Sequence, residues 1–313
     1  MIKKNNRKYI VNLTIILFYC LFSYSNSNAI ENKILFKVNN EIITSLDLLD
    51  EIEYIKLLNK QLIKLDNEKI FEIARNSAIR EKIKIIELSK FFETLEVEEK
   101  YLDLLLEEFK KKLNIKTDKQ LNDVINASDL SVKKIEEKIQ IEILWNQLII
   151  NKFSKDIKID KDKIKKNILE NNLQKEYLLS EIVFNLDNEN LEKKFDIIKK
   201  EISNSGFENA ASIYSISNTS NNGGKLGWIK INSLNKKIKK EILGTQIKNY
   251  TNPIVIPGGF LILKIEDEKE TNIVNDIEKE IEIISREIAN KQLNQFANIY
   301  FNKIKKEVII NEF

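Results

Sequence analysis

The sequence predicts an α+β protein in which a mostly helical module is interrupted by one compact segment of order βααβαββ. All seven glycines and both prolines of the 313-residue chain lie between Gly206 and Gly259, and these residues form tight turns and end helices. From Tyr177 to Glu266 the apolar residues alternate in short runs, as in strands. On either side of this segment they recur every three or four residues, which is typical of helices.

The part before the central segment is predicted to begin with a strand at 33–39, in which Ile34, Phe36 and Val38 share one side. A turn at 39–40 and the N-cap residues Thr44 and Ser45 lead into the first helix. The predicted helices are marked by Leu48–Leu58, Ile70–Phe92, Val97–Leu113, the capping-box pattern Thr117–Gln120, Val132–Ile143 and Asp160–Asn172. Their apolar stripes are typical of core faces, although such helices could also present apolar grooves to partners.

The central segment has about 90 residues, an ordinary size for one domain. Its turns and changes of period predict alternating short strands and helices. The predicted elements are a strand at 177–184, helices at about 189–204 and 207–214, a strand at 226–230, a helix near 235–243, and strands around 250–256 and 260–266.

Beyond Glu270 the helical period returns, with apolar positions from Ile273 to Ile304. A helix of this length is stable only if it docks its apolar stripe against other elements. The final stretch Glu307–Ile310 predicts a strand that pairs with Ile34–Val38. Such pairing would close the two ends of the chain into one helical module around the central segment.

The composition excludes several kinds of chemistry. The chain has no histidine, and its single cysteine is Cys20. Imidazole acid–base catalysis and ordinary zinc or copper sites are therefore excluded. The formal net charge of +3, with both signs interspersed, gives no support for a nucleic-acid partner. We predict no cofactor and no metal site.

The N-terminus has the pattern of a secretory signal peptide. Basic residues (Lys3, Lys4, Arg7, Lys8) precede an apolar run from Tyr9 to Phe22, and the small residues of Ser27–Ala29 follow. An uncleaved anchor is the alternative, but the run is shorter than the ~20 residues of a spanning helix. We therefore predict cleavage near Ala29 and an exported chain with no stable membrane anchor. That mature chain would have a net charge of −1 and no disulfide.

The central segment resembles a parvulin-type (PpiC-like) peptidyl-prolyl isomerase domain. Five motifs occur in the order and spacing of that family, and any one alone would be weak. They are the first strand Tyr177–Val183, the helix end Ala211–Ser215, the glycine turn Gly223–Trp228, the stretch Asn252–Ile254 and the last strand Gly259–Lys264.

The flanks resemble the SurA family of periplasmic chaperones, because Phe36–Asp47 is similar to the opening strand, turn and helix of that family. The long C-terminal helix and terminal strand fit as well, although longer members have two parvulin units and this chain has one. The resemblance implies a signal peptide at 1–29, the N-terminal part of a helical chaperone domain at 30–172, a parvulin-like domain at 173–267, and a helix and strand at 268–313 that complete the chaperone domain.

The resemblance also points to the positions where parvulin chemistry would take place. Active parvulins carry a His on the first strand, a Cys or Asp after a Tyr-Ser pair, and a His on the last strand. The corresponding residues here are Glu181, Ser217 and Leu261. Prolyl rotation needs no covalent step, and its barrier of ~18–20 kcal/mol is lowered by an apolar pocket with a suitable polar surround. The missing histidines therefore remove that polar network without necessarily abolishing activity.

The proline pocket is the second implied site. Leu226, Leu234 and Ile238 fall where the family places its proline-contacting residues, so the resemblance implies a role in substrate binding. They can equally be core residues between the sheet and a helix. Glu181 also has two interpretations, as a solvated edge residue or as a carboxylate paired with Lys225 or another cation.

Three functions remain open at this point. The first is an ATP-independent periplasmic chaperone that binds unfolded envelope and outer-membrane proteins and carries a parvulin-like domain with a degenerate active site. The alternative is an active peptidyl-prolyl cis-trans isomerase that assists the folding of exported proteins. The third is an exported structural protein whose parvulin scaffold docks a single partner, because a fold does not determine a function.

Overall fold

The structure is a computed structural model and describes residues 32–128, 130–170, 173–186, 190–272 and 277–313. The expected signal peptide and its cleavage site near Ala29 lie outside these ranges. The described α-helices are α1 (Ser45–Leu58), α2 (Asn67–Leu88), α3 (Glu99–Lys112), α4 (Asp118–Ala127), α5 (Val132–Phe153), α6 (Lys161–Glu170), α7 (Leu191–Ser205), α8 (Phe207–Tyr214), α9 (Lys236–Leu243) and α10 (Ile277–Lys305). The described strands are β1 (Ile34–Val38), β2 (Glu41–Thr44), β3 (Leu173–Phe184), β4 (Lys225–Lys230), β5 (Ile254–Ile256), β6 (Gly259–Asn272) and β7 (Ile310–Glu312). The predicted α+β fold class is confirmed.

Most of these helices begin at a side-chain cap that accepts a backbone N–H of the first turn. The predicted cap Thr44 forms a full capping box with Asp47. Thr117 accepts from the backbone of Gln120, as predicted, but the Gln120 amide oxygen accepts from Lys116 instead of completing the box. None of the described helices is long and apolar enough to cross a membrane.

The central segment folds into a four-stranded antiparallel sheet of order β4-β3-β6-β5. Its element order is the predicted βααβαββ. One face is covered by α7 and α8, around a buried cluster that includes Phe184 and Phe207, and the other face is covered by α9. Strands β3 and β6 are longer than predicted, because they pair from Phe184 and Phe260 outward to Leu173 and Asn272.

The first and last described strands meet in a second sheet of order β2-β1-β7. The pairing of Val38 with Ile310 and of Phe36 with Glu312 confirms that the terminal strand joins the first one, although β7 begins at Ile310 and not at Glu307. Strand β2 was not predicted. It forms a hairpin with β1 through Asn39, whose φ of 52° lies in the left-handed region that asparagine tolerates.

The largest core of the helical module includes residues from both β1 and the C-terminal helix α10. Trp145 of α5 is 1% exposed and stacks on Tyr300 of α10, with ring centroids 5.9 Å apart. It also meets the edge of Phe301 at 6.2 Å. The N-terminal half of α10 packs on α6 in a smaller buried cluster. This cluster contains Ile164, Ile168, Ile281 and Ile284. The long C-terminal helix is therefore docked along its apolar stripe, as predicted.

We expect Trp145→Ala to lower the free energy of unfolding by about 3–5 kcal/mol, because it removes the largest buried ring between α5 and α10. Trp228→Ala is the matched control, since that ring is 39% exposed, and should cost about 1 kcal/mol or less. Urea unfolding followed by circular dichroism measures both. Equal losses would show that the core between the two helices is not a main source of stability.

Candidate functional site

The Glu181 carboxylate is the centre of a polar group on β3. Its Oε1 accepts a hydrogen bond from Ser217 Oγ at 2.7 Å and another from Thr219 Oγ1 at 3.0 Å. Lys225 pairs instead with Glu208, at 3.3 Å. Lys225 is therefore not the partner of Glu181, and Glu181 is not a freely solvated edge residue, which leaves the expected alternative of another cation.

Glu181 is positioned by the glycine turn that precedes β4. Its backbone N–H donates to the Gly224 carbonyl at 2.8 Å. Gly224 has a φ of +77°, and a Cβ at this position would lie 2.2 Å from the Glu181 carbonyl oxygen. A side chain cannot fit there without moving β3, so the close approach of two backbones requires glycine at position 224.

Lys291 of α10 is the nearby cation that interacts with Glu181. Burial raises the pKa of the Glu181 carboxyl, an effect that the Ser217 and Thr219 hydroxyls and the Lys291 charge partly offset. Burial likewise lowers the pKa of Lys291 to about 8, against the opposing attraction of Glu181. The C-terminal helix thus contributes a charge to the candidate site of the central segment.

The loop that carries Ser217 is held from two sides. Ile216 donates its backbone N–H to the Val183 carbonyl at 2.7 Å, and Ser215 Oγ accepts from the Val183 N–H at 3.0 Å. From the helical module, the Arg80 guanidinium of α2 donates to the carbonyls of Ser215, Ile216 and Ser217 at 3.3, 3.1 and 2.9 Å. Ser217 therefore has a fixed position relative to Glu181.

Sequence reasoning missed Arg80, Lys291 and Thr219 as parts of this site. One feature of the sequence could have pointed to Arg80, because it is one of only four arginines in a chain whose other basic residues are lysines. A planar guanidinium can donate to several carbonyls at once, which lysine does less well. Lys291 left no signal in a helix with many lysines.

The remaining predicted residues lie together on the α9 face of the sheet. Leu261 and Ile238 are 5% and 0% exposed and share one buried cluster. Leu226 and Leu234 are half-buried and pack against that cluster. Of the three residues assigned to substrate binding, only Leu226 and Leu234 thus present surface to a peptide, and the assignment itself stays a prediction. Among the described residues, no group of carboxylates could hold a metal ion.

Comparison with known proteins identifies the central segment. Residues 179–267 match the family model of the rotamase domain described as the PPIC-type PPIASE domain. This segment is therefore a parvulin-type domain by its family model, and the chain is similar to a chaperone of the SurA type over part of its length. The chaperone SurA of Pseudomonas putida is 26% identical over 172 residues, which cover 50% of this chain and 40% of that relative.

Solved structures of similar proteins include isolated domains and whole chaperones. A PpiC-type isomerase domain is 27% identical and covers 32% of this chain and 96% of its own, with a TM-score of 0.29. A SurA-like chaperone of Campylobacter jejuni is 15% identical and covers 90% of this chain and 99% of its own, with a TM-score of 0.35. The foldase PrsA of Streptococcus pneumoniae is 16% identical and covers 88% of this chain and 92% of its own, with a TM-score of 0.30. These TM-scores are too low to support a function, so the similarity to parvulin-type domains and to SurA rests on the family model and the SurA relative.

We expect Arg80→Met to lower the free energy of unfolding by about 2–3 kcal/mol, because three backbone carbonyls lose a charged donor. Amide hydrogen exchange should also become faster around Ser217 and Thr219. Arg75→Met is the matched control on the same helix, since the Arg75 Nε has no hydrogen-bond partner. If both variants lose the same stability and exchange stays slow, α2 does not hold the loop.

Proposed function

We propose that this chain is an ATP-independent periplasmic chaperone for unfolded envelope proteins, outer-membrane proteins among them. Its parvulin-type domain (173–267) would bind peptide without efficient isomerase chemistry, inside a helical chaperone domain formed by 30–172 and 268–313. The name of the SurA relative supports the chaperone role, and the match spans about two fifths of that protein's length. The proposal needs no cofactor and no nucleic acid.

The observation that carries the proposal is the hydrogen bonding of Glu181 Oε1 within the protein. Its carboxylate already accepts two hydroxyl hydrogen bonds from Ser217 and Thr219. Leu261, at the third position, is buried and has no side chain that can donate a hydrogen bond. Such a site offers little polar stabilisation to a twisted prolyl amide. The half-buried Leu226 and Leu234 still offer apolar surface for a peptide.

Exposed apolar residues on the helical module support client binding. Tyr101 and Leu104 lie on α3 and are 55% and 57% exposed. The same helix packs its other side into a buried cluster around Phe109 and Ile125. Apolar side chains on both sides of one helix are unusual for a surface helix, and exposed ones often mark interaction sites.

We expect the mature chain to suppress aggregation of a denatured outer-membrane β-barrel protein at an equimolar ratio without ATP. Tyr101→Ser with Leu104→Ser should weaken suppression severalfold, because it removes apolar contact area for clients. Leu243→Ser with Val255→Ser is the matched control, since those side chains are equally exposed but lie on the parvulin-type domain. Light scattering measures aggregation. An unchanged aggregation curve with the wild-type chain would contradict the proposal.

We expect the chain to leave the cis–trans exchange rate of a proline peptide close to that in buffer, because Glu181 is engaged and Leu261 cannot donate. The same peptide should bind, and Leu226→Ala with Leu234→Ala should weaken its binding about tenfold through lost apolar contact. Exchange spectroscopy by NMR measures the rate, and fluorescence anisotropy the affinity. Faster exchange that falls in the double variant would establish the alternative function, an active isomerase.

A further inference from the structure

A cleft rich in lysine lies between the parvulin-type domain and the helices that follow and precede it. Its cavity volume is about 640 Å³, and its walls come from α6, from the segment that leads into α9, and from α10. Five lysines and one carboxylate are among the described residues that line it. The charged residues are Lys158, Lys163, Lys236, Lys239, Lys291 and Asp160.

The positive charges of this cleft are poorly compensated within the protein. Asp160 accepts the backbone N–H of Lys163 at 2.9 Å and so caps α6. Lys239 Nζ donates to the neutral amide of Asn232 at 3.2 Å. In the part of the chain that the structure describes, no salt bridge within 4.0 Å engages any of the five lysines. Like charges held together repel one another, and an anion in the cleft would relieve this repulsion.

The cleft is continuous with the candidate peptide site. Leu234 lines the cleft and also packs on the buried cluster that Leu226 contacts. Lys291 lines it as well, and its charge acts on the Glu181 carboxyl. Burial lowers the pKa of Lys291 to about 8, and a carboxylate brought into the cleft would favour its charged form.

The chemistry of the walls favours a peptide as the occupant. The lining combines the lysines with the apolar side chains of Leu234 and Ile288, which matches a chain that carries both acidic and apolar residues. The Gln292 amide is already paired with the Lys158 backbone, at 2.9 and 2.8 Å, so the charged and apolar side chains are the groups that would select the ligand. No aromatic side chain is present among the described lining residues, so the base stacking that single-stranded nucleic acids use is missing. The net charge of the chain is also near neutral.

We infer that this cleft binds the acidic part of an extended peptide whose neighbouring apolar or prolyl residue contacts Leu234. The inference rests on the proposed function and deepens it, since it states the charge of the segments that the parvulin-type domain prefers. Unfolded chains with Asp or Glu a few residues from a proline or a large apolar residue would then be the favoured ligands.

The test uses the full chain and two short dye-labelled peptides with the same proline-containing centre. One carries three flanking Glu residues and the other carries Gln at the same places. Fluorescence anisotropy should show about tenfold tighter binding of the acidic peptide at about 0.1 M salt, where the Debye length is about 10 Å. At about 1 M salt, where it is about 3 Å, the preference should disappear.

Charge reversal on α9 locates the effect. Lys236→Glu with Lys239→Glu should abolish the preference for the acidic peptide, and acidic residues in the first turn are compatible with the helix. Lys119→Glu with Lys200→Glu is the control, because it changes the net charge equally at two exposed lysines that do not line the cleft. If the reversed α9 does not fold, Lys236→Gln with Lys239→Gln should reduce the preference in the same direction.

The outcomes separate this inference from the function on which it rests. Equal affinities for the two peptides, or a preference that survives charge reversal on α9, would overturn the inference while leaving peptide binding in place. If neither peptide binds, the parvulin-type domain is not a peptide-binding module, and both proposals fail. Tighter binding of a single-stranded DNA oligonucleotide than of the acidic peptide would also overturn the inference.

Discussion

The antiparallel pairing of β3 with β6 is the interaction on which the rest of this structure depends. It extends from Phe184 and Phe260 to Leu173 and Asn272. Because an antiparallel pair places the start of one strand beside the end of the other, the chain leaves and re-enters the helical module at one place. Helices α6 and α10 consequently meet and pack their isoleucines together. The lysine-rich cleft is a consequence of the same arrangement, since these two helices form two of its walls.

A second set of contacts joins the central segment to α2 and its neighbours, and these contacts are mainly polar. Besides the Arg80 contacts, Asn59 donates to Ser212 at 3.2 Å and Asn221 donates to Ser77 at 3.1 Å. Lys69 pairs with Glu201 at 2.9 Å. Polar contacts of this kind depend strongly on geometry. They hold the loop beside Glu181 in one arrangement, which suits a rigid binding surface.

The same geometry underlies the proposal that the parvulin-type domain binds peptide without efficient isomerase chemistry. The Glu181 carboxylate is engaged by hydroxyls of its own chain, and the buried Leu261 contributes only to the core. Surface for a ligand remains at Leu226 and Leu234, and positive charge lies beside it at Lys291. The proposed ligands, extended and partly acidic segments, match an apolar contact next to a cationic cleft, and unfolded chains offer such segments.

The sequence by itself determined the helices and the order of elements in the central segment, because caps, turns and periodicity act over a few residues. It also indicated the partner of the terminal strand, because Ile34–Val38 is the one other strand that the sequence predicts outside the central segment. Strand β2 and the outer parts of β3 and β6 escaped prediction. Strand β2 is short, and the outer parts of β3 and β6 are highly charged, so neither has a clear strand pattern. Pairing with the neighbouring strand stabilises them, and Lys175 of β3 lies 3.7 Å from Glu268 of β6. Similarity of motifs led to Glu181 and Ser217. Only the tertiary structure brought Arg80 and Lys291 to that site. Each is more than 100 positions from Glu181 in the chain, and contacts between such distant residues depend on how whole elements dock.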